Sequence, residues 1–244
     1  MFQITVINSV TFKWEHIVTK EDDEIIRIRN FYDKYFMRHR EFYERERHAA
    51  WVKWLLPLKR PARLLDVACG NCYFLSQLLQ YPDLELTGTD ISATALAIGK
   101  EILGPRIHLV CTATENLPFE SGYFDYITCI GSLEHFSNLP RALREMVRVG
   151  KPDALYFIQV PNASLNYKTL MKGTSHTFQI DAKEELHTKD EWVKILQNSG
   201  VRVTNIFKDD AFRPGFTSLK RFILKIMPLK FCPHFIILGR KERP

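Results

Sequence analysis

No apolar run in the 244 residues approaches the roughly 18 that a membrane-spanning helix needs. The opening stretch, MFQITVINSVTFKWEHIVTK, has no basic start followed by an apolar block and a small-residue cleavage site, so no secretory leader is read there. A soluble, cytoplasmic protein is expected. Cysteine is scarce and odd in number: Cys69, Cys72, Cys111, Cys129 and Cys232, four of them in segments that read as buried strand or strand-end loop. That excludes a disulfide framework and suits reduced thiols. Internal repeats and low-complexity tracts are absent. Excess charge is missing from most of the chain as well: the net +6 comes from residues 208–244, which hold nine Lys or Arg against three Asp or Glu. Without a dispersed basic surface or an RNA-binding module, nucleic acid is not the expected partner.

What is present is a core-forming composition, 45% hydrophobic and 12% aromatic, which excludes a disordered or fibrous chain. Between Arg63 and Val160, short β-rich runs (ARLLDVA, LELTGTD, IHLVC, FDYITCI, ALYFIQV) alternate with helical patterns (LSQLLQ, ATALAIGKEIL, LPRALREMVRV). Such alternation means βαβ units, a doubly wound, mostly parallel sheet of the α/β class, and ligand sites at the carboxyl ends of the strands. Residues 1–60 read as a helical extension, with two amphipathic helices between Asp22 and about Leu56. Residues 61–244 read as the α/β domain, with a loop over 161–180, a helix over DAKEELHTKDEWVKILQNSG ended by Gly200, closing strands VRVTNIF and FIILG, and a basic insertion near 208–233.

The first strand runs into LLDVACGNCYF, where Asp66 precedes a turn of small residues, Ala68, Cys69, Gly70, Asn71 and Cys72. Small residues let a ligand approach the backbone closely. A dinucleotide site would want three glycines and no anion beside its diphosphate, whereas Asp66 favours a cationic group. The second strand ends at Asp90, where a carboxylate can accept hydrogen bonds from both hydroxyls of a ribose. The ammonium and sulfonium of S-adenosylmethionine fit this polarity.

These stretches, with LTGTDIS, ATENLPFESGYFDYITCIGSLEHF, RALREMVRVGKPDALYFIQVPN and EWVKILQNSGVRV, resemble the class I, Rossmann-like S-adenosylmethionine-dependent methyltransferases over about Arg63 to Phe207, especially the small-molecule enzymes of the ubiquinone-biosynthesis type. The resemblance implies a seven-stranded sheet with the last strand antiparallel, the N-terminal helices as a lid, and S-adenosylmethionine as cofactor. It implies Asp66, Ala68, Gly70 and Asn71 around the methionine moiety, Asp90 on the ribose and Ile91 on the adenine. Glu115, Asn116 and Leu117 would border the adenine, and Ile130, Gly131 and Ser132 would pass the sulfonium. The sequence departs from the pattern at Ala68 and Cys72, which take outer glycine positions of the turn, and at Thr112 and Ala113, where an acid is usual.

His135, after the fourth strand, is the candidate catalytic residue: a general base for a hydroxyl or carbon acid, or else a histidine that orders its loop. Glu134, His176 and His187 are weaker candidates, and no metal ligand set emerges. Cys69-Gly70-Asn71-Cys72 forms a lone CxxC, read as packing because no second pair accompanies it. Tyr43, Arg47 and His48 fall one helical turn apart, and either touch the cofactor or form a solvated face. Leu219, Phe222, Ile223, Ile226 and Met227, flanked by Lys220, Arg221 and Lys225, make a basic amphipathic stripe that packs on the sheet, caps the acceptor or touches a membrane surface. The acceptor is expected to be a small-molecule or lipid-linked metabolite, roofed by the segments around 31–54, 161–180 and 208–233. No obligate protein partner is indicated. RNA methylation, cofactor binding without catalysis, and a nicotinamide-dependent oxidoreductase stay open as alternatives.

Overall fold

The computed structural model describes residues 3–7, 10–14, 20–38, 61–164, 184–209, 226 and 228–242. Five strands follow one another in parallel through the middle of the chain: β3 (Ala62–Val67), β4 (Leu84–Asp90), β5 (His108–Cys111), β6 (Phe124–Ile130) and β7 (Gly150–Pro161). Two more, β8 (Val201–Lys208) and β9 (His234–Lys241), close the sheet, with β9 antiparallel to both of its neighbours. An N-terminal hairpin, β1 (Gln3–Ile7) and β2 (Val10–Trp14), joins the opposite edge through parallel pairing of β2 with β5. The order is β1-β2-β5-β4-β3-β6-β7-β9-β8. The expected seven strands with a reversed last strand are therefore the seven from β3 to β9, and the hairpin is an addition that the helical reading of residues 1–60 did not foresee.

The β3 strand is central, with the chain moving outward to β4 and β5 on one side and to β6 and β7 on the other. Such a reversal opens a crevice above the carboxyl ends of the strands. Strand alternation feeds both faces: Leu64, Phe157 and Ile236 pack with Phe74, Leu75, Leu78 and Leu96 on one side. On the other side Leu65, Tyr156 and Ile237 pack with Leu143, Met146, Trp192 and Leu196.

Among the described residues the helices are α1 (Lys20–Arg38), the single turn α2 (Tyr73–Ser76), α3 (Ala93–Leu103), α4 (Leu139–Val149) and α5 (Lys189–Asn198). Residues 39–60 lie outside the described residues, as do the second N-terminal helix expected there and Tyr43, Arg47 and His48. The α3 helix starts where the Ser92 hydroxyl accepts the Ala95 amide, and α4 where the Asn138 side chain accepts that of Arg141, so a side-chain oxygen satisfies one of the free N–H groups at each start. The α5 helix begins later than expected. Residues 184–188 are not helical, because Thr188 and Glu191 form a reciprocal capping box that fixes the start at Lys189. No described helix is long and apolar enough to cross a membrane. Of the basic amphipathic stripe only Ile226 is described, and it is exposed.

Candidate active site

The crevice above β3, β4, β5 and β6 encloses about 820 Å3 of empty space, counting the part open to solvent. Its floor is the turn after β3. Ala68, Gly70 and Cys72 all take left-handed backbone angles, with φ of 54°, 57° and 62°. Only Gly70 does so without a Cβ penalty, which is why Ala68 and Cys72 are unusual there. The turn is held from two directions. The Gly70 amide donates to Asp90 Oδ2 (2.8 Å), and both Cys69 and Cys72 thiols lie near the Gly70 carbonyl.

Two distant glycines make room for the cysteines. A Cβ at Gly88 of β4 would stand 2.8 Å from the Cys69 sulfur, and one at Gly99 of α3 would stand 2.7 Å from the Cys72 sulfur. The two sulfurs, 3.5 Å apart and buried, fill the space under the turn, and burial pushes the Cys69 thiol up, which keeps it protonated. In this geometry both cysteines of the CxxC fill packing space against Gly88 and Gly99. Gly99→Ala should destabilise the protein by about 1–3 kcal/mol, because the new methyl meets the Asn71 carbonyl as well as Cys72. Urea unfolding of the variant, alone and with Cys72→Ala, measures this; only partial recovery is expected from the second change, since the carbonyl stays in place.

At the end of β4, Asp90 is buried with both oxygens engaged by backbone: Oδ2 by Gly70 and Oδ1 by the Ser92 amide (2.8 Å). These bonds fix its orientation at the cleft, which Asp90 and Ile91 both line. Asp66 lies deeper. It is fully buried, accepts a hydrogen bond from the Thr128 hydroxyl of β6 (2.7 Å), and does not line the cleft.

The loop after β5 supplies Thr112, Ala113, Thr114 and Glu115 to the wall. Glu115 is committed to structure, its Oε1 accepting from the Ser137 hydroxyl (2.7 Å) and the Asn138 amide (3.1 Å), which ties this loop to the one after β6. Asn116 points to solvent and Leu117 into the core, so neither reaches the cleft. The Leu117 amide and carbonyl are gripped by Glu145 and Arg148 of α4. Burial alone would raise Glu145, but the Arg148 guanidinium and then the Leu117 amide bring it below the usual carboxylate range.

From the end of β6, Gly131 and Ser132 line the cleft, whereas Ile130 is buried in the core beneath them. His135 closes a short 3-10 turn (Leu133–His135) and faces the cleft while itself buried. Its Nε2 lies 3.8 Å from Glu134 Oε1, and its ring meets that of Tyr32 edge-on at 6.4 Å. The roof is α1, whose Ile25, Ile28, Tyr32, Tyr35 and Phe36 recur at helical spacing and all line the cleft. Burial, then the charges of Glu134 and Asp90, push the Tyr32 hydroxyl far up, so it stays neutral and can donate a hydrogen bond.

Of the other candidates, His187 packs edge-on against Trp192 (4.7 Å) away from the cleft, and His176 lies outside the described residues. No group able to hold a metal ion occurs among the described residues. Sequence reasoning missed Asp33 and Ser92, which join roof to floor; Ser92 carried a local signal as a serine one residue before a helical run.

A central parallel sheet reversed at β3, a last antiparallel strand and a cleft over the turn after β3 make a doubly wound, Rossmann-like α/β fold. Residues 65–158, from β3 through β7, match the family model described as a methyltransferase domain. The chain is 35% identical over 116 residues to the demethylmenaquinone methyltransferase of Bacillus cytotoxicus, covering 44% of this chain and 49% of that protein. It therefore spans about half the length of the curated relatives it matches. Among solved structures, geranyl diphosphate C-methyltransferase from Streptomyces coelicolor, in complex with S-adenosyl-L-homocysteine, superposes with a TM-score of 0.62 at 12% identity, over 80% of this chain and 75% of that one. The cyclase SpnF superposes with a TM-score of 0.64 at 18% identity, over 82% and 81%. The fold is thus shared by proteins of different activities, and the chemistry resides in the cleft rather than in the fold.

Proposed function

We propose that this protein binds S-adenosylmethionine in the cleft over β3, β4 and β5 and transfers its methyl group to a small, quinone-type acceptor. The carrying observation is the polarity of the cleft. Among the described residues its wall holds the carboxylates of Asp90 and Glu115 and no Lys or Arg. A dinucleotide diphosphate would find no cation among these residues, whereas a sulfonium and ammonium are favoured by nearby carboxylates. The cofactor supplies an electrophilic methyl on sulfur. In this reading Gly70 and Asn71 border the amino-acid part, Asp90 accepts the ribose hydroxyls, Ile91 and the Thr112–Glu115 wall flank the adenine, and Gly131 and Ser132 leave a passage toward His135.

Displacement at a methyl carbon needs alignment and exclusion of water more than any covalent help from the protein. The α1 roof, with Tyr32, Tyr35 and Phe36, provides an apolar cover for both. The names of the curated relatives support a demethylated quinone-type acceptor, and an enclosed aromatic cleft suits such a ring better than a polynucleotide, which needs an open basic track. Isothermal titration should show S-adenosylmethionine and S-adenosylhomocysteine binding and no heat with NAD or NADP. Tighter binding of a nicotinamide cofactor would overturn this function.

A further inference from the structure

Roof and floor of the cleft are joined by a closed circuit of contacts. Asp33, half-buried on α1, accepts hydrogen bonds on Oδ1 from the Ser92 hydroxyl (2.6 Å) and the Thr94 amide (3.0 Å). Ser92 is fully buried at the start of α3, and its own amide donates to Asp90 Oδ1 (2.8 Å). Asp90 Oδ2 accepts the Gly70 amide (2.8 Å). Gly70 leads back to α1, because a Cβ there would stand 3.2 Å from the Phe36 ring. A carboxylate at the first turn of a helix is placed where the free amides and the helix dipole favour it, and its hydrogen bonds are of the stronger, charged kind.

We propose that Asp33 is a positioning residue that latches α1 over the cleft and couples this lid to Asp90, so that roof and floor grip the nucleoside cofactor as one unit. The inference rests on the cofactor reading of the cleft given above. Around these bonds α1 packs through apolar groups: Ile28 and Phe36 are buried, and Tyr32 and Tyr35 pack with Phe36, Ala95 and Ile98. Such contacts allow the helix to slide; the two bonds to one carboxylate oxygen fix its register against α3. Because Ser92 touches both Asp33 and Asp90, movement of the lid is felt at the carboxylate that reads the ribose.

The test uses the full chain with S-adenosylhomocysteine as probe, comparing the parent with Asp33→Ala, Asp33→Asn, Ser92→Gly and the Asp33→Ala/Ser92→Gly double variant. Glycine removes the Ser92 hydroxyl at little cost to the helix cap. Losing charged hydrogen bonds at Asp33 predicts a roughly tenfold weaker Kd for Asp33→Ala. The change should lie mainly in the dissociation rate, with a smaller effect for Asp33→Asn, which keeps an acceptor oxygen. Because Asp33 and Ser92 share one contact, the double variant should lose clearly less than the product of the single losses. A variant that melts earlier yet keeps the parent's affinity and dissociation rate would show Asp33 to be a structural tie only, and multiplicative losses would break the coupling; either result overturns the latch while leaving the cofactor reading intact. A parent that fails to bind the probe sinks the cofactor reading and the latch together.

Discussion

Replacing Asp90 with Ala is expected to weaken binding of S-adenosylmethionine and S-adenosylhomocysteine by roughly a hundredfold, on the basis of two charged hydrogen bonds at about 1.5 kcal/mol or more each. The loss has two sources. One is direct, the two acceptors that a ribose would use. The other is the floor itself, since without Asp90 the amides of Gly70 and Ser92 lose their acceptor. Asp90→Asn separates them. An asparagine keeps one acceptor oxygen and presents an NH2 group to the other amide, so the turn is disturbed even though the side chain is the same size. Titration calorimetry at matched protein stability checks both variants. Binding by Asp90→Ala at the parent's affinity would mean that the cofactor lies elsewhere.

The same residues show what was legible in the sequence. The sheet could be read because each parallel strand is a short β-rich run and the intervening helices carry the other period; β3 to β9 and the reversed last strand appear as expected. The terminal hairpin could not, because β2 owes its place to pairing with β5, which lies about a hundred residues later in sequence. Strand-end position places Ala68, Gly70, Asn71, Asp90, Ile91, Glu115, Gly131, Ser132 and His135 on the wall of one cleft. Position alone does not say which way a side chain turns. Asp66, Leu117 and Ile130 face the interior and Asn116 faces solvent, an outcome decided by partners such as Thr128 and Glu145 from other strands and helices. The substitution of Cys72 for glycine looked like a defect in the turn. Its compensation, Gly99 opposite the sulfur, lies 27 positions away and is visible only once α3 is packed on the turn.

His135 carries the second large effect. If methyl transfer generates a proton at the acceptor, as it does for a hydroxyl or an activated ring carbon, a base at the far side of the sulfonium passage assists it, and general-base catalysis is typically worth 10²–10⁴-fold. In the proposed reading His135 stands at that place: it follows Gly131 and Ser132, faces the cleft, and has the Glu134 carboxylate 3.8 Å from its Nε2. Tyr32, edge-on to the imidazole, does not compete for the role, because its hydroxyl is held neutral by burial and by neighbouring carboxylates. His135→Gln, which preserves hydrogen bonding but not basicity, should therefore lower kcat with a quinone-type acceptor by about 10²-fold or more, while the Kd for S-adenosylhomocysteine changes less than twofold. Tyr32→Phe, with the ring retained, should act mainly on acceptor KM. The two variants together distinguish a base from a residue that orders its loop. A loop-ordering histidine would be rescued by glutamine's hydrogen bonds, so near-parental kcat in His135→Gln would remove His135 from the chemistry and leave alignment and desolvation under α1 as the protein's whole contribution.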